Sequence, residues 1–241
     1  MLDWLRRDPR AVPTLAVAGR ELPIVVRRLD RARRMTMRLA PDGSEVRISI
    51  PTWARSAEAL AFARSRQSWL ERQLTALPSP SPLGPGTTIR FRGEPLTIRH
   101  EASARRRPVL DDGALTVGGP LTAIEARVGR WLQAEARTLL TRDLEHYCTR
   151  AGRPVSALAL SNARRRWGSC AANGAIRINW RLIMAPDTVR RSVVAHEVAH
   201  LLHFDHSPAF HACLATLFEG DVGAANDWLK REGRGLYRTF G

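Results

Sequence analysis

Residues 193–200, Val-Val-Ala-His-Glu-Val-Ala-His, constrain what this chain can fold into more than any other stretch. The apolar run reads as a buried helix, and residues four apart on a helix lie one above the other on the same face. His196 and His200 can therefore both direct a ring nitrogen at a single ion about 2.0–2.1 Å away. Glu197 is offset from that line, which suits a general base acting on water activated by the metal, the mechanical content of the pattern H-E-x-x-H. The plainer alternative is a core helix that carries two histidines by chance.

A catalytic zinc needs a third protein ligand from a new direction while its fourth position stays open. Candidates follow in Leu201-Leu-His203-Phe-Asp205-His206-Ser207-Pro208-Ala-Phe210. His203 lies about 10 Å beyond His196 along a continuous helix at about 1.5 Å per residue, too far to share its ion easily. Asp205 tolerates the left-handed conformation that often ends a helix, and Ser207-Pro208 reads as N-cap and first turn of the next one. That turn would bring His206 back toward the ion. Glu219, on the helix carrying Phe210, Leu214, Leu217 and Phe218, would give the thermolysin-like ligand set, and His211 is a further candidate. The spacing from His196 to His206 also fits the metzincin pattern, but His203 stands where that pattern has glycine. That group also needs a downstream methionine, and the last one here is Met184.

Composition narrows the class. The chain has 241 residues, 44% of them hydrophobic, enough for one large domain or two small ones. Residues 1–10 hold no apolar run suited to a signal peptide, and no stretch approaches the length of a membrane span, so a cytoplasmic location and no membrane partner are expected. Cys148, Cys170 and Cys213 are too scattered for a disulfide framework or a cysteine metal site. The net charge of +15 raises nucleic acid or nucleotides as partners. Lys230 is the only lysine among 38 basic residues, however, so the arginine clusters 31–34, 105–107 and 164–166 read equally as codon bias on solvated faces. No aromatic residues interleave with them in sequence.

Along the chain, strand-period alternation over 14–50 predicts a small antiparallel meander ending at Pro51. A single helix is expected from Ser56, with Leu60, Ala63, Gln67, Leu70, Leu74 and Leu77 on one stripe, stopping at Pro78. Residues 78–86 form a proline-rich connector. Short strands over 88–117, with a turn at Asp111-Asp112-Gly113, extend the β-rich part. Thr122 to Glu125 reads as a capping box opening a long helix to Gly152, expected to pack beneath the histidine helix. A strand over 155–160 and a hairpin about Asn173-Gly174 precede that helix, and such an edge can receive an extended peptide by strand addition.

Trp167-Gly-Ser-Cys170, Gly174-Ala-Ile-Arg-Ile-Asn179-Trp-Arg-Leu182, His196-Glu-Val-Ala-His200 and His206-Ser-Pro-Ala-Phe210 together resemble the YgjP-like metallopeptidase family, related to the SprT-type zinc proteases. Asp205 stands where that family often has asparagine. The order of elements gives an α+β fold with a β-rich region and one helix over 1–118 and a second part over 119–241, as two domains or one continuous one, and the resemblance implies that the second part is a zincin-like core. It implies one Zn2+ on His196, His200 and His206, Glu197 as catalytic base, and a peptide or protein substrate. Arg166, Trp167, Gly168, Ser169 and Asn179 are the expected substrate-facing positions, with Arg166, Asn179 and His203 as candidate oxyanion stabilisers. Two other classes stay open on charge and metal chemistry: a phosphoanhydride or nucleotide hydrolase using the same water, and a non-catalytic zinc-containing nucleic-acid-binding module.

Overall fold

The computed structural model describes residues 13–40, 43–75 and 83–240. The N-terminal decapeptide, Pro41-Asp42, the helix end at Leu77-Pro78 and most of the 78–86 connector lie outside them. The chain divides into two units, Met1–Pro78 and Ser79–Gly241.

In the first unit, β1 (Thr14–Val17) and β2 (Arg20–Leu29) form a hairpin whose turn residues Ala18 and Gly19 both take positive φ, 49° and 74°. That twist matches the strands it joins. β3 (Thr36–Leu39) and β4 (Val46–Pro51) complete a sheet of order β1-β2-β4-β3, in which β2 and β4 run parallel. The antiparallel meander expected from alternation is therefore corrected to a mixed sheet. The reason is burial: Val46, Ile48 and Ile50 of β4 are all fully buried and claim the centre, whereas β3 buries only Leu39 and takes the edge. The expected single helix is two, α1 (Ser56–Ser65) and α2 (Gln67–Thr75), broken at Arg66. Its N-cap is Arg55 and not Ser56, with the Arg55 backbone N–H donating to Glu58 at 2.9 Å. Ala59, Ala63, Leu70 and Leu74 close the core over the sheet.

The second unit opens with the same design. β5 (Thr88–Phe91), β6 (Glu94–His100), β7 (Val109–Asp111) and β8 (Ala114–Val117) form a sheet of order β5-β6-β8-β7, again with its central pair parallel. Thr14, Leu15, Gly19, Leu22 and Ile24 reappear at the same spacing as Thr88, Ile89, Gly93, Leu96 and Ile98, an internal repeat that strand-by-strand reading passes over. Ile89, Leu96, Ile98, Leu115 and Val117 share one core with Val128 and Leu132 of α3 (Ile124–Arg150). The division at 78/79 keeps this sheet in the unit that holds α3, on which its apolar face is buried. No capping box opens α3; a 3-10 turn, Leu121–Ala123, leads into it instead.

β9 (Leu158–Ser161), β10 (Gly168–Cys170) and β11 (Ile176–Asn179) follow in the order β10-β11-β9. A 3-10 turn, Trp180–Met184, leads into α4 (Asp187–Ala199), then α5 (Pro208–Leu217) and α6 (Val222–Glu232). With small sheets and six α-helices among the described residues, the class is mixed α+β. α4 packs against α3, as its sequence position suggested, and also against α5, α6 and β10.

The β5–β6 turn is pinned beside α4. Arg92 N–H donates to Ile183 O at 2.7 Å and Gly93 N–H to Met184 O at 3.2 Å, while a Cβ at Gly93 would sit 3.0 Å from the Pro186 Cα. Gly19, its counterpart, has nothing within 4 Å. Both glycines have positive φ, so alanine at either costs about 1–2 kcal/mol for the backbone alone. Gly93→Ala should cost more than Gly19→Ala, because it also presses on backbone; denaturant melts of the two variants, followed by helical signal, check this, and equal losses would refute it.

Candidate metal and active site

α4 buries Val189, Val193, Val194, Ala195, Val198 and Ala199 in the core and leaves His196 and His200 half-buried. It stops earlier than expected. Ala199 is its last residue, and Leu202 and His203 both donate backbone N–H groups to Ala199 O at 3.0 Å, closing a tight turn. Asp205 takes no left-handed conformation, so the early stop, rather than an αL residue, redirects the chain. The restart is as expected: Ser207 caps α5, its Oγ accepting from Phe210 N–H at 3.4 Å, with proline in the first turn. His206 is thereby brought back over His196.

The donor atoms of His196, His200 and His206 all lie within 4.8 Å of one another, and no other such group occurs among the described residues. His206 Nε2 stands 3.2 Å from His196 Nε2. Two nitrogens bound tetrahedrally at about 2.0–2.1 Å would be about 3.3–3.4 Å apart, so this pair is already at the separation a metal requires. His200 Nδ1 lies 3.0 Å from His203 O. A carbonyl can only accept, so Nδ1 carries the proton and the Nε2 lone pair is left for an ion, as ligating imidazoles are usually held. The residues fit a metal with one position left open.

The other candidate ligands are elsewhere. Glu219 accepts from Tyr147 Oη at 3.0 Å and pairs with Arg191, so the thermolysin-like set is not assembled. His203 contributes its carbonyl, and the His211 ring lies 6.5 Å from the His206 ring, outside the cluster. Beneath the three imidazoles lies Phe210, fully buried, with ring centroids 4.9, 4.6 and 4.8 Å from His196, His200 and His206. Sequence reading took Phe210 for an ordinary core position; its place one turn after His206 behind a Ser-Pro cap is the signal that it shares their face.

Glu197 is only 6% exposed and turns toward β10. A Cβ on Gly168 would lie 2.4 Å from its Oε1 and 2.6 Å from its Cγ, so only glycine lets the carboxylate rest against that strand. Burial pushes the Glu197 carboxyl up to about 7, against the Arg166 guanidinium and the Cys170 backbone N–H, which both favour the ionised form. Burial likewise holds the His196 imidazole down at about 4, with repulsion from His200, His206 and His211 adding to it.

Among the described residues β10 pairs with β11 alone. Asn179 N–H donates to Trp167 O and Ala171 N–H to Ala175 O, so residues 167, 169 and 171 face β11. By alternation, the backbone groups of Gly168 and Cys170 face the open edge. Arg166 is exposed, Ser169 is half-buried on β10, and Trp167 packs 5.6 Å from the Tyr237 ring. Asn179 is a correction. It is fully buried, donating to Ala163 O at 2.8 Å and Tyr237 Oη at 3.0 Å and accepting from Arg181 N–H at 3.1 Å, so it holds neighbouring segments together and has no surface to offer a substrate or oxyanion.

A mixed α+β unit with a cluster of three imidazoles and a buried carboxylate beside an open strand edge has the furniture of a metallopeptidase. The family model described as YgjP-like, metallopeptidase domain, matches residues 33–232, and the chain belongs to that family. Among solved structures, the metallopeptidase zymogen abylysin of Pyrococcus abyssi is similar over 42% of this chain and 99% of its own, with 19% identity and a TM-score of 0.35. No curated protein matches the sequence. The family is one of metal-dependent peptidases, which favours a peptide or protein substrate over the phosphoanhydride and nucleic-acid-module alternatives. No helix among the described residues is long and apolar enough to cross a membrane.

The opposed shifts make a pH test. Between about 4.5 and 7 the folded Glu197 keeps a proton that the unfolded chain has released, so its contribution to stability falls as pH rises through that window. Between about 4 and 6.5 the folded His196 lacks a proton that the unfolded chain binds, so its contribution rises with pH. In the metal-free protein the two slopes cancel where the windows overlap. Glu197→Gln should remove one and leave stability climbing with pH across that overlap; urea midpoints at several pH values measure it, and a variant as flat as the wild type would contradict the assignment.

Proposed function

We propose that the chain is a zincin-like zinc peptidase in which His196, His200 and His206 hold the ion and Glu197 is the general base. The observation that carries this reading is the contact between Gly168 and Glu197: a buried carboxylate lies against the open edge of β10, beside three imidazoles at metal-binding separation. Bound zinc supplies Lewis acidity, polarising a carbonyl, bringing the pKa of water near 7 and drawing the carboxyl of Glu197 toward its ionised form.

The chain's own residues account for the rest. A peptide laid along β10 as an added strand pairs with the outward backbone groups of Gly168 and with the Cys170 carbonyl, the Cys170 N–H being held by Glu197, and its scissile carbonyl comes to lie at the imidazole cluster. Glu197 accepts a proton from the attacking water as the oxygen joins the carbonyl carbon. As the C–N bond breaks, the same carboxyl returns that proton to the departing amine nitrogen. Arg166 favours the ionised carboxylate before attack. Phe210 and the buried face of α4 exclude bulk water beneath the site, which strengthens each of these electrostatic contacts.

His206→Ala should abolish tight zinc binding while Glu219→Ala retains it, since Glu219 is engaged with Tyr147 and Arg191. Metal analysis of the purified variants decides, and the reverse order would restore the thermolysin-like set. Glu197→Gln should keep zinc and lower peptide hydrolysis about 100-fold to 10,000-fold, because an amide cannot take the proton. Gly168→Ala should also keep zinc and lose turnover, since its Cβ displaces the carboxylate. Wild-type rates in either variant on a verified peptide substrate would defeat the mechanism.

A further inference from the structure

The first unit carries a feature that peptide hydrolysis does not use. Trp53 is 75% exposed, the most exposed of the large hydrophobic residues among those described, and its loop is stapled by hydrogen bonds. The Arg28 guanidinium donates to Thr52 O at 3.1 Å, to Ala54 O and to Ser56 Oγ at 3.2 Å, bridging the backbone on both sides of the tryptophan. Ala54, next in the chain, is buried to 1% and anchors the loop from within. A flexible tip exposing an aromatic ring is ordinary; a stapled one is a preformed platform.

Parallel pairing decides what surrounds it. Leu29 and Pro51 are register partners at the ends of β2 and β4, so the segment after β2 and the segment after β4 leave the sheet from the same end. The first carries Arg31, Arg33 and Arg34, all exposed, at the same end of the sheet as Trp53. Arg27 pairs in register with Ser49, and Arg38 with Arg47, on the face of the sheet opposite Val46, Ile48 and Ile50. Among the described residues no carboxylate pairs with Arg27, Arg31, Arg33, Arg34 or Arg38. In sequence these arginines stand apart from any aromatic; the fold supplies one from twenty residues away.

We infer that this end of the first sheet binds single-stranded nucleic acid, one base stacking on Trp53 while its flanking phosphates run over Arg31, Arg33, Arg34 and the outer face with Arg27 and Arg38. A rigid exposed indole flanked by unpaired guanidinium groups is the combination single strands require: a π-face that any base can stack on and a cationic track for the backbone. A duplex hides its base faces and could use only the charge. The surface is independent of the peptidase reading, since none of its residues belongs to the histidine site.

The test uses the full chain and a fluorescein-labelled oligothymidylate of about sixteen nucleotides, followed by anisotropy at several salt concentrations. Trp53→Ala should weaken binding about 5-fold to 150-fold, the loss of one stacked base, with the melting temperature unchanged. Trp53→Phe should restore most of it. R31A/R33A/R34A should weaken binding and lower the salt slope by about 2. R105A/R106A/R107A, which removes equal charge from the second unit, should do much less, and Glu197→Gln should bind as wild type does. Equal losses from the two triple variants, Trp53→Ala binding as well as wild type, or duplex bound as tightly as single strand would each overturn the inference. So would wild-type binding to phosphatidylserine vesicles, lost in Trp53→Ala, without binding to the oligonucleotide.

Discussion

Arg190 enters the interior as a cation, 3% exposed, and everything about the placement of α4 follows from how that charge is matched. Asp143 of α3 meets its Nε at 2.7 Å, and Asp187, three residues earlier on α4, takes a second nitrogen. Removing one partner from a buried pair costs about 3–5 kcal/mol, whereas exposed pairs contribute about 1 kcal/mol or less. The Arg190–Asp143 pair therefore decides the rotational phase of α4 against α3. Arg92 to Asp187 and Arg191 to Glu219, both more exposed, extend the same chain of charges to the β5–β6 turn and the end of α5 without deciding it. Once that phase is set, His196 and Glu197 can point only where they do.

The site is then completed from the other side by segments that follow α4. Its early end at Ala199 frees the backbone of His203 to hold His200, and the Ser207 cap starts α5 where Phe210 can pass under all three rings. Two of the contacts are made by backbone: the His203 carbonyl to an imidazole and the Cys170 N–H to Glu197. Backbone partners survive substitution of their own side chains, so the least replaceable positions here are those that let backbone come close. Gly168 is the clearest of them.

Local chemistry was legible in the sequence, and non-local pairing was not. Four-residue spacing, a Ser-Pro cap and an Asn-Gly turn each act within a few residues, and each produced the element expected near it. Strand order depends on which strand wins the centre of a sheet, and alternation is the same for β3 and β4 until burial separates them. β5–β8 look in sequence like more of the preceding β region, and only the partner of their apolar face joins them to α3. The repeat of Thr14–Ile24 at Thr88–Ile98 was visible and would have paired each hairpin with its own helices. Glu219 and Asn179 looked available because polarity in a sequence does not reveal whether a partner is waiting; here Tyr147, Arg191, Ala163 and Tyr237 are.

The neighbours His196 and Glu197 are pushed in opposite directions by one cause. Burial disfavours charge on either, so the fold favours a neutral imidazole beside a protonated carboxyl, although unfolded both would be charged between about 4.5 and 6.5. The pair is neutral overall in both states across that window, so folding there takes up and releases no net proton and the cost of drying the site does not change with pH. Neither group is at rest in its hydrated preference, however. A cation at the three imidazoles would find the lone pair of His196 already free of a proton and would meet, one residue away, a carboxyl whose ionisation it favours. The desolvation that makes Glu197 a poor acid thus holds its carboxyl at about 7 in the metal-free chain, and a cation at the imidazoles would draw it below that value.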